Sequence, residues 1–365
     1  MIEFYRLMID LFVIYKLKNP ARGKAFTMAH LRFGLFLKKI LKGYILLFLM
    51  CLLMRLSLPV HAQDEIFEAK NKEIVFKNKI KSQTQMNHSY TDGVPSETGY
   101  KNAYMSYDEK GNMTEVITYK ADGKVFSMES YKFDEAGRQI GYVRFDASRN
   151  QIVYKKAFKL NAKGDKLAEA GFDGQSNYKN EFKYEGDKLV EIQYSVSEIL
   201  VQTRKFSYNG NTRTINIYKN DGTFEFSMSQ TFDDRENLIE DIEFQPDGKT
   251  IARKYQYKYN AANKKTEEIK YEFGNLVYKK EFEYSPAGDI LKIVQTDASG
   301  TSFETNIYEY DASGRLLKES YRKKPTQQFS TREYKYDEKG ICISIDSYYA
   351  TYKYKVLFKY TYEYF

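Results

Sequence analysis

Tryptophan is absent from the 365 residues, and cysteine (2) and histidine (3) are nearly so. Cys51 lies in an apolar leader stretch, leaving Cys342 alone in the rest of the chain, and one thiol cannot form an internal disulfide. After the leader only His88 remains, so no zinc spacing can be built and a Ser–His–Asp arrangement would have to use that one ring. No glycine-rich phosphate loop leads into a helix. The longest apolar run, Tyr44–Met54, is short of the ~20 residues a membrane-spanning helix needs.

The basic balance also thins out on inspection. The chain has 57 Lys and Arg against 49 Asp and Glu, but ten of the bases and only two of the acids fall in residues 1–62. The remaining 47 of each cancel, so the +8 belongs to the leader and no nucleic-acid partner is expected. From Met28, read as the start, Arg32, Lys38, Lys39 and Lys42 precede the apolar run. Val60 and Ala62 then offer a small-residue cleavage site. Residues 1–62 are therefore read as a leader cleaved after Ala62, and the mature chain as exported to the periplasm, outer surface or medium. The alternative is an uncleaved inner-membrane anchor over residues 43–58, the one membrane contact expected. Met50 before Cys51 does not fit a lipid-attachment site.

What is abundant is aromatic: 34 Tyr and 25 Phe. They are periodic. An aromatic, or Leu160 in its place, precedes an Asp-type turn at Tyr107, Phe133, Leu160, Tyr184, Tyr208, Phe232, Tyr259, Tyr284, Tyr310 and Tyr336, with a truncated unit at Tyr362. The spacing is 24 to 27 residues. A second aromatic usually stands two residues earlier, and side chains two apart on a strand share a face. Each unit therefore sends two rings to one side. The turns Asp108–Gly111, Asp134–Gly137, Asp311–Gly314 and Asp337–Gly340 place a capping carboxylate before a residue able to take positive φ, with Asn263 standing in once. Glu185-Gly186 and Asn209-Gly210 are shorter, and the latter predicts a type I′ hairpin. Second turns, such as Asp122-Gly123 and Gly274-Asn275, fall midway through each unit.

The expected fold is all-β: an antiparallel meander of about ten tandem hairpins of about 25 residues over 104–365, forming a twisted, coiled repeat sheet, preceded by an N-terminal hydrophobic helix; the residues leave undecided whether that sheet closes. Residues 63–103 are read as an N-terminal cap or tether. The ring-bearing face, Tyr131, Phe133, Phe182, Tyr184, Tyr257, Tyr259, Tyr308, Tyr310, Tyr334 and Tyr336, is the candidate binding face. No catalytic, metal or cofactor residue is assigned. The turn carboxylates come one per turn and do not cluster as calcium ligands.

The phrases YEYDASGRLLKESY at Tyr308–Tyr321, YKFDEAGRQI at Tyr131–Ile140 and YKYDEKG at Tyr334–Gly340 resemble the YD repeats of the Rhs/teneurin-like family. The turns YKADGK and FQPDGK resemble MORN-type hairpins more weakly. The resemblance implies a β-hairpin scaffold. It does not extend to that family's self-cleaving core or effector domain, whose sequences are missing. The function expected is a non-enzymatic, exported binding or scaffold protein of the envelope with a glycan or protein partner. The alternatives are a structural spacer that self-associates through sheet edges, and a glycan-acting enzyme using acid pairs such as Asp233-Asp234 or Glu267-Glu268.

Overall fold

The computed structural model describes residues 71–365, and Lys70–Phe365 forms one compact unit. The leader, its cleavage site and the hydrophobic helix lie outside the described residues. A helix at 71–77 leads into β1 (Ile80–Thr91), a two-residue β2 (Val94–Pro95) and β3 (Tyr100–Tyr107). Antiparallel strands then follow one another from β4 (Met113–Tyr119) to β23 (Tyr354–Tyr364), each paired with its neighbour in sequence.

The expected twisted, coiled repeat sheet is corrected to a closed barrel. β1 pairs with β3 on one side and with β23 on the other, through a ladder from Ile80–Tyr364 to Ser89–Val356. Leaving out β2, twenty-two strands close into a barrel. The segment read as a cap supplies the closing strand. Closure also removes the unpaired edges through which self-association had been considered. The physical reason is twist and tilt of one hand accumulating over the meander until the first and last strands meet. At ~4.8 Å between strands and a tilt near 40°, the backbone cylinder has a radius of roughly 20 Å. Side chains from its wall cannot fill that interior.

One rim, here the first, carries the Asp-type turns. In the turn Asp108–Gly111 the Gly111 N–H donates to the Asp108 carbonyl at 2.9 Å, and an Asp108 carboxylate oxygen accepts the N–H groups of Lys110 and Asn112. Gly314 and Asn263 take the positive φ, at 75° and 57°. Neighbouring turns are tied together: Arg138 donates to the Ala162 carbonyl and Arg235 to those of Asn260 and Ala261. The short turn is shifted from its expected place by one residue. Asn209 pairs with Thr212, so the loop is Gly210-Asn211 with positive φ at Gly210, the type II′ pattern rather than I′.

The helix at 71–77 packs Val75 against Ile80, Tyr107 and Ile341 at this rim, with Met105, Met113 and Tyr362 around them. Val75 and Ile341 are almost fully buried.

At the second rim, Phe273 sits at φ 48°, a region bulky side chains avoid, and is exposed. Phe273→Asn should raise stability by about 1 kcal/mol, read as a higher denaturation midpoint at unchanged slope; an unchanged or lower midpoint would show no strain there.

Candidate functional site

The wall has two unlike faces. On β9 (Asn177–Glu185) the alternation is complete: Tyr178, Asn180, Phe182 and Tyr184 are buried or half-buried, while Asn177, Lys179, Glu181, Lys183 and Glu185 are exposed. Closing a sheet crowds side chains on the concave side and splays them on the convex side, so the ring-bearing face lines the lumen. Residues paired across strands share a face. The register Tyr131–Tyr142, Phe182–Ile192, Tyr257–Glu268, Tyr308–Glu319 and Tyr334–Ile345 therefore carries that assignment around the wall. All ten predicted residues, including Phe133, Tyr259, Tyr310 and Tyr336, lie on this inner face. They form five separate pairs distributed around the barrel rather than one patch.

The rings nearest the first rim have a structural task that sequence reasoning missed. The hydroxyl of Tyr259 donates to the Leu238 carbonyl at 2.8 Å, Tyr284 to Lys265 at 2.6 Å, and Tyr336 to Leu316 at 2.7 Å. Tyr184, Tyr208 and Tyr362 do the same to Lys166, Leu189 and Cys342. Each accepting residue faces the preceding unit's marker residue, where the ladder slips by one position and leaves a carbonyl unpaired. Each such tyrosine thus closes the hydrogen bonding of the hairpin before it. Burial pushes the phenols of Tyr259 and Tyr336 up to about 12, which keeps them donors. Tyr259→Phe should cost about 1–2 kcal/mol by orphaning the Leu238 carbonyl. Equilibrium unfolding checks this, and a neutral substitution would show that water serves the carbonyl as well.

Deeper in the lumen runs an ionic and polar band. Glu268 accepts from the Tyr278 hydroxyl at 2.8 Å and pairs with Lys265 at 2.7 Å. Glu169 repeats this with Tyr178 and Lys166, and Glu319 with Tyr334 and Arg332. Tyr178 reaches Glu169 because Gly171 lies beneath its ring; a Cβ there would stand 2.8 Å from the ring and 2.2 Å from the Lys155 carbonyl oxygen. Burial raises the carboxyl pKa of Glu268, but Lys265 and the Tyr278 hydroxyl outweigh it and the net shift is downward. Asp241 shifts upward, by burial: one oxygen takes a hydrogen bond from Gln230 and the other has no partner. Tyr131, Tyr142 and Tyr154 follow one another in tilted contact, with ring centroids 5.1 and 5.7 Å apart.

This band was readable. Four residues before the marker, on the same face, stand Glu129, Lys156, Asn180, Arg204, Tyr255, Lys280, Asn306 and Arg332. Following the two-residue period one step further inward would have found them. The carboxylates proposed as acid pairs are instead divided. Glu267 faces outward to Lys258 and Lys279, whereas Glu268 faces the lumen. Asp233 caps its own turn. His88 is buried, with Nδ1 2.8 Å from the Ser96 carbonyl oxygen.

The outer face is hydrophilic. Lys179–Glu181, Lys279–Glu281, Lys258–Glu267 and Lys318–Glu333 form ion pairs along it. A lipid-spanning barrel needs an apolar outer band ~25 Å tall. Charged residues populate both faces here, so neither meets that need.

No known protein family matches the sequence, and no curated protein does. Among solved structures it is similar to the TcdB2-TccC3-Cdc42 complex, with 13% identity, a TM-score of 0.29 and 75% of this chain covered. The chain spans 18% of that protein's length. It is also similar to porin-like proteins from Bacteroides uniformis, with 13% identity and a TM-score of 0.26, and from Bacteroides vulgatus, with 10% and 0.21. These cover 78% of this chain and 97% and 98% of theirs. At such scores the likenesses bear on neither fold nor task.

Proposed function

We infer that this chain is an exported, non-enzymatic envelope protein whose barrel works in an aqueous compartment and holds a glycan strand against its inner wall. The carrying observation is the lumen. Five aromatic pairs surround an interior that wall side chains cannot fill, and a band of carboxylates, amides and cations lies beside them. Aromatic faces take the apolar faces of sugar rings, and neighbouring polar groups take their hydroxyls. The leader supports export, and the charged outer face supports an aqueous setting over insertion. The YD-like phrases belong to this proposal as the origin of the hairpins, which here meet end to start instead of winding on. The spacer reading loses support because closure leaves no long free edge.

Binding of residues 63–365 to a glycan array tests the reading, with the Tyr308→Ala/Tyr310→Ala variant as comparison. Retained glycan should fall about tenfold or more in the variant, as for stacked aromatic contacts. Absence of any retained glycan, or capture of extended peptides alone, would count against it.

A further inference from the structure

Successive strands are antiparallel, so every second turn falls at the same end of the barrel, opposite the Asp-type turns. Among the described residues, this second rim carries exposed large apolar side chains on several of its turns and strand ends. Val94, Phe126, Ile152, Ile199, Phe273 and Tyr352 are 44% to 80% exposed. Each lies within three residues of a positive-φ turn residue: Gly93, Gly123, Asn150, Glu198, Gly274 and Lys353. The tips of the Asp-type turns at the first rim carry no apolar side chain larger than alanine or proline. Leu291, Leu317 and Ile343, on the strands leaving those turns, reach only 36% to 41%. Phe76, Tyr364 and Phe365 are also exposed at the first rim, but beside the helix at 71–77 rather than around the circumference.

The second observation is charge. The loop at residues 322–330 and the tip at 349–355 hold Arg322, Lys323, Lys324, Lys353 and Lys355 with no acidic residue. Gln327 Nε2 donates to Thr351 Oγ1 at 2.6 Å, so the two tips form one sector. Arg322 is turned into its own loop onto the Pro325 carbonyl, and Lys355 pairs with Asp346, leaving Lys323, Lys324 and Lys353 exposed beside Tyr352. Several of the rim's carboxylates are engaged within their own turns, Asp122, Asp221, Asp247 and Asp297 accepting backbone N–H groups two residues on, while Asp92, Glu97 and Glu198 are exposed elsewhere on the rim.

We propose that the second rim seats on an anionic lipid bilayer, its apolar tips entering the headgroup boundary and the Lys323/Lys324/Lys353 sector meeting acidic headgroups. The apolar tips lie on six separate turns around a circle about 40 Å across. A protein partner would need a matching ring, whereas a bilayer meets the whole rim at once. A second copy could meet the basic sector only with the exposed Asp92, Glu97 and Glu198 of its own rim, and emission without vesicles separates that occupant. Interfacial seating of this kind needs apolar area together with electrostatic attraction. It requires no spanning segment and stands independently of what the lumen holds.

The lack of tryptophan makes the test clean. In the full chain, Phe273→Trp and Tyr352→Trp report on the second rim and Ala312→Trp on the first. With phosphatidylcholine vesicles containing phosphatidylglycerol, second-rim emission should shift to the blue and be quenched by brominated acyl chains, while Ala312→Trp stays water-like. Lys323→Glu/Lys324→Glu/Lys353→Glu should weaken the response at least about tenfold at low salt. No shift at the second rim, equal shifts at both rims, or a blue shift without vesicles would overturn the proposal; the last would assign the rim to a second copy.

Discussion

Deleting Tyr354–Phe365 should make the chain aggregate at micromolar concentration under conditions in which the closed barrel stays monodisperse. β23 is the seam of the barrel: it pairs with β22 (Cys342–Tyr349) on one side and, through nine residue pairs, with β1 on the other. Its loss uncovers two long strand edges at once. It also removes Val356, which is 2% exposed, and the Tyr362 side chain packed beneath the first-rim helix. An open repeat sheet would respond differently, shedding one strand and keeping both its solubility and the rest of its stability. Size-exclusion chromatography with light scattering separates the outcomes. A monodisperse truncated chain with a near-native denaturant slope would mean that closure is dispensable.

The second large effect is expected at Glu268. The carboxylate is 7% exposed and receives both the Tyr278 hydroxyl and the Lys265 ammonium. Glu268→Ala leaves a cation and a phenol in a desolvated wall without their acceptor. Removing one partner of a buried pair costs about 3–5 kcal/mol. Lys265 keeps a quarter of its side chain in solvent, which places the expected loss at the lower end, about 3 kcal/mol. The pH dependence has a definite sign. The folded-state pKa of Glu268 lies below the ordinary glutamate value of 4.5, so the folded state holds its proton less tightly than the unfolded chain. Its contribution is complete above pH 4.5 and disappears as pH falls through the lowered folded value. Denaturant midpoints at pH 7 and pH 3 should therefore differ more for the native chain than for Glu268→Gln. Equal pH sensitivity in the two would remove Glu268 from the acid response.

Much of the wall was legible because it is local. The Asp-x-x-Gly turns, the two-residue period and the half-turn between units depend on residues within a few positions of one another, and from β3 to β23 each strand pairs with its neighbour in sequence; the β1–β23 seam is the long-range exception. The short turns were misplaced by one residue because Asn209 and Gly210 are both tolerant of positive φ, and the choice of Gly210 is made by the register with Thr212. The tyrosine hydroxyls have no partner that a local stretch would name. Which carbonyl each one meets is fixed by a slip in the ladder of the adjacent hairpin, some twenty residues away.

From the amino-acid order alone come the antiparallel strands, their turns, and the ring-bearing side common to all of them, because periodicity and turn chemistry are short-range. Tertiary structure decided that this side looks inward, that Glu268 and Glu169 are desolvated there, and that residues once read as a cap form the closing strand. Closure depends on small twists summed over twenty-two strands until Ile80 reaches Tyr364, and no local stretch encodes that sum.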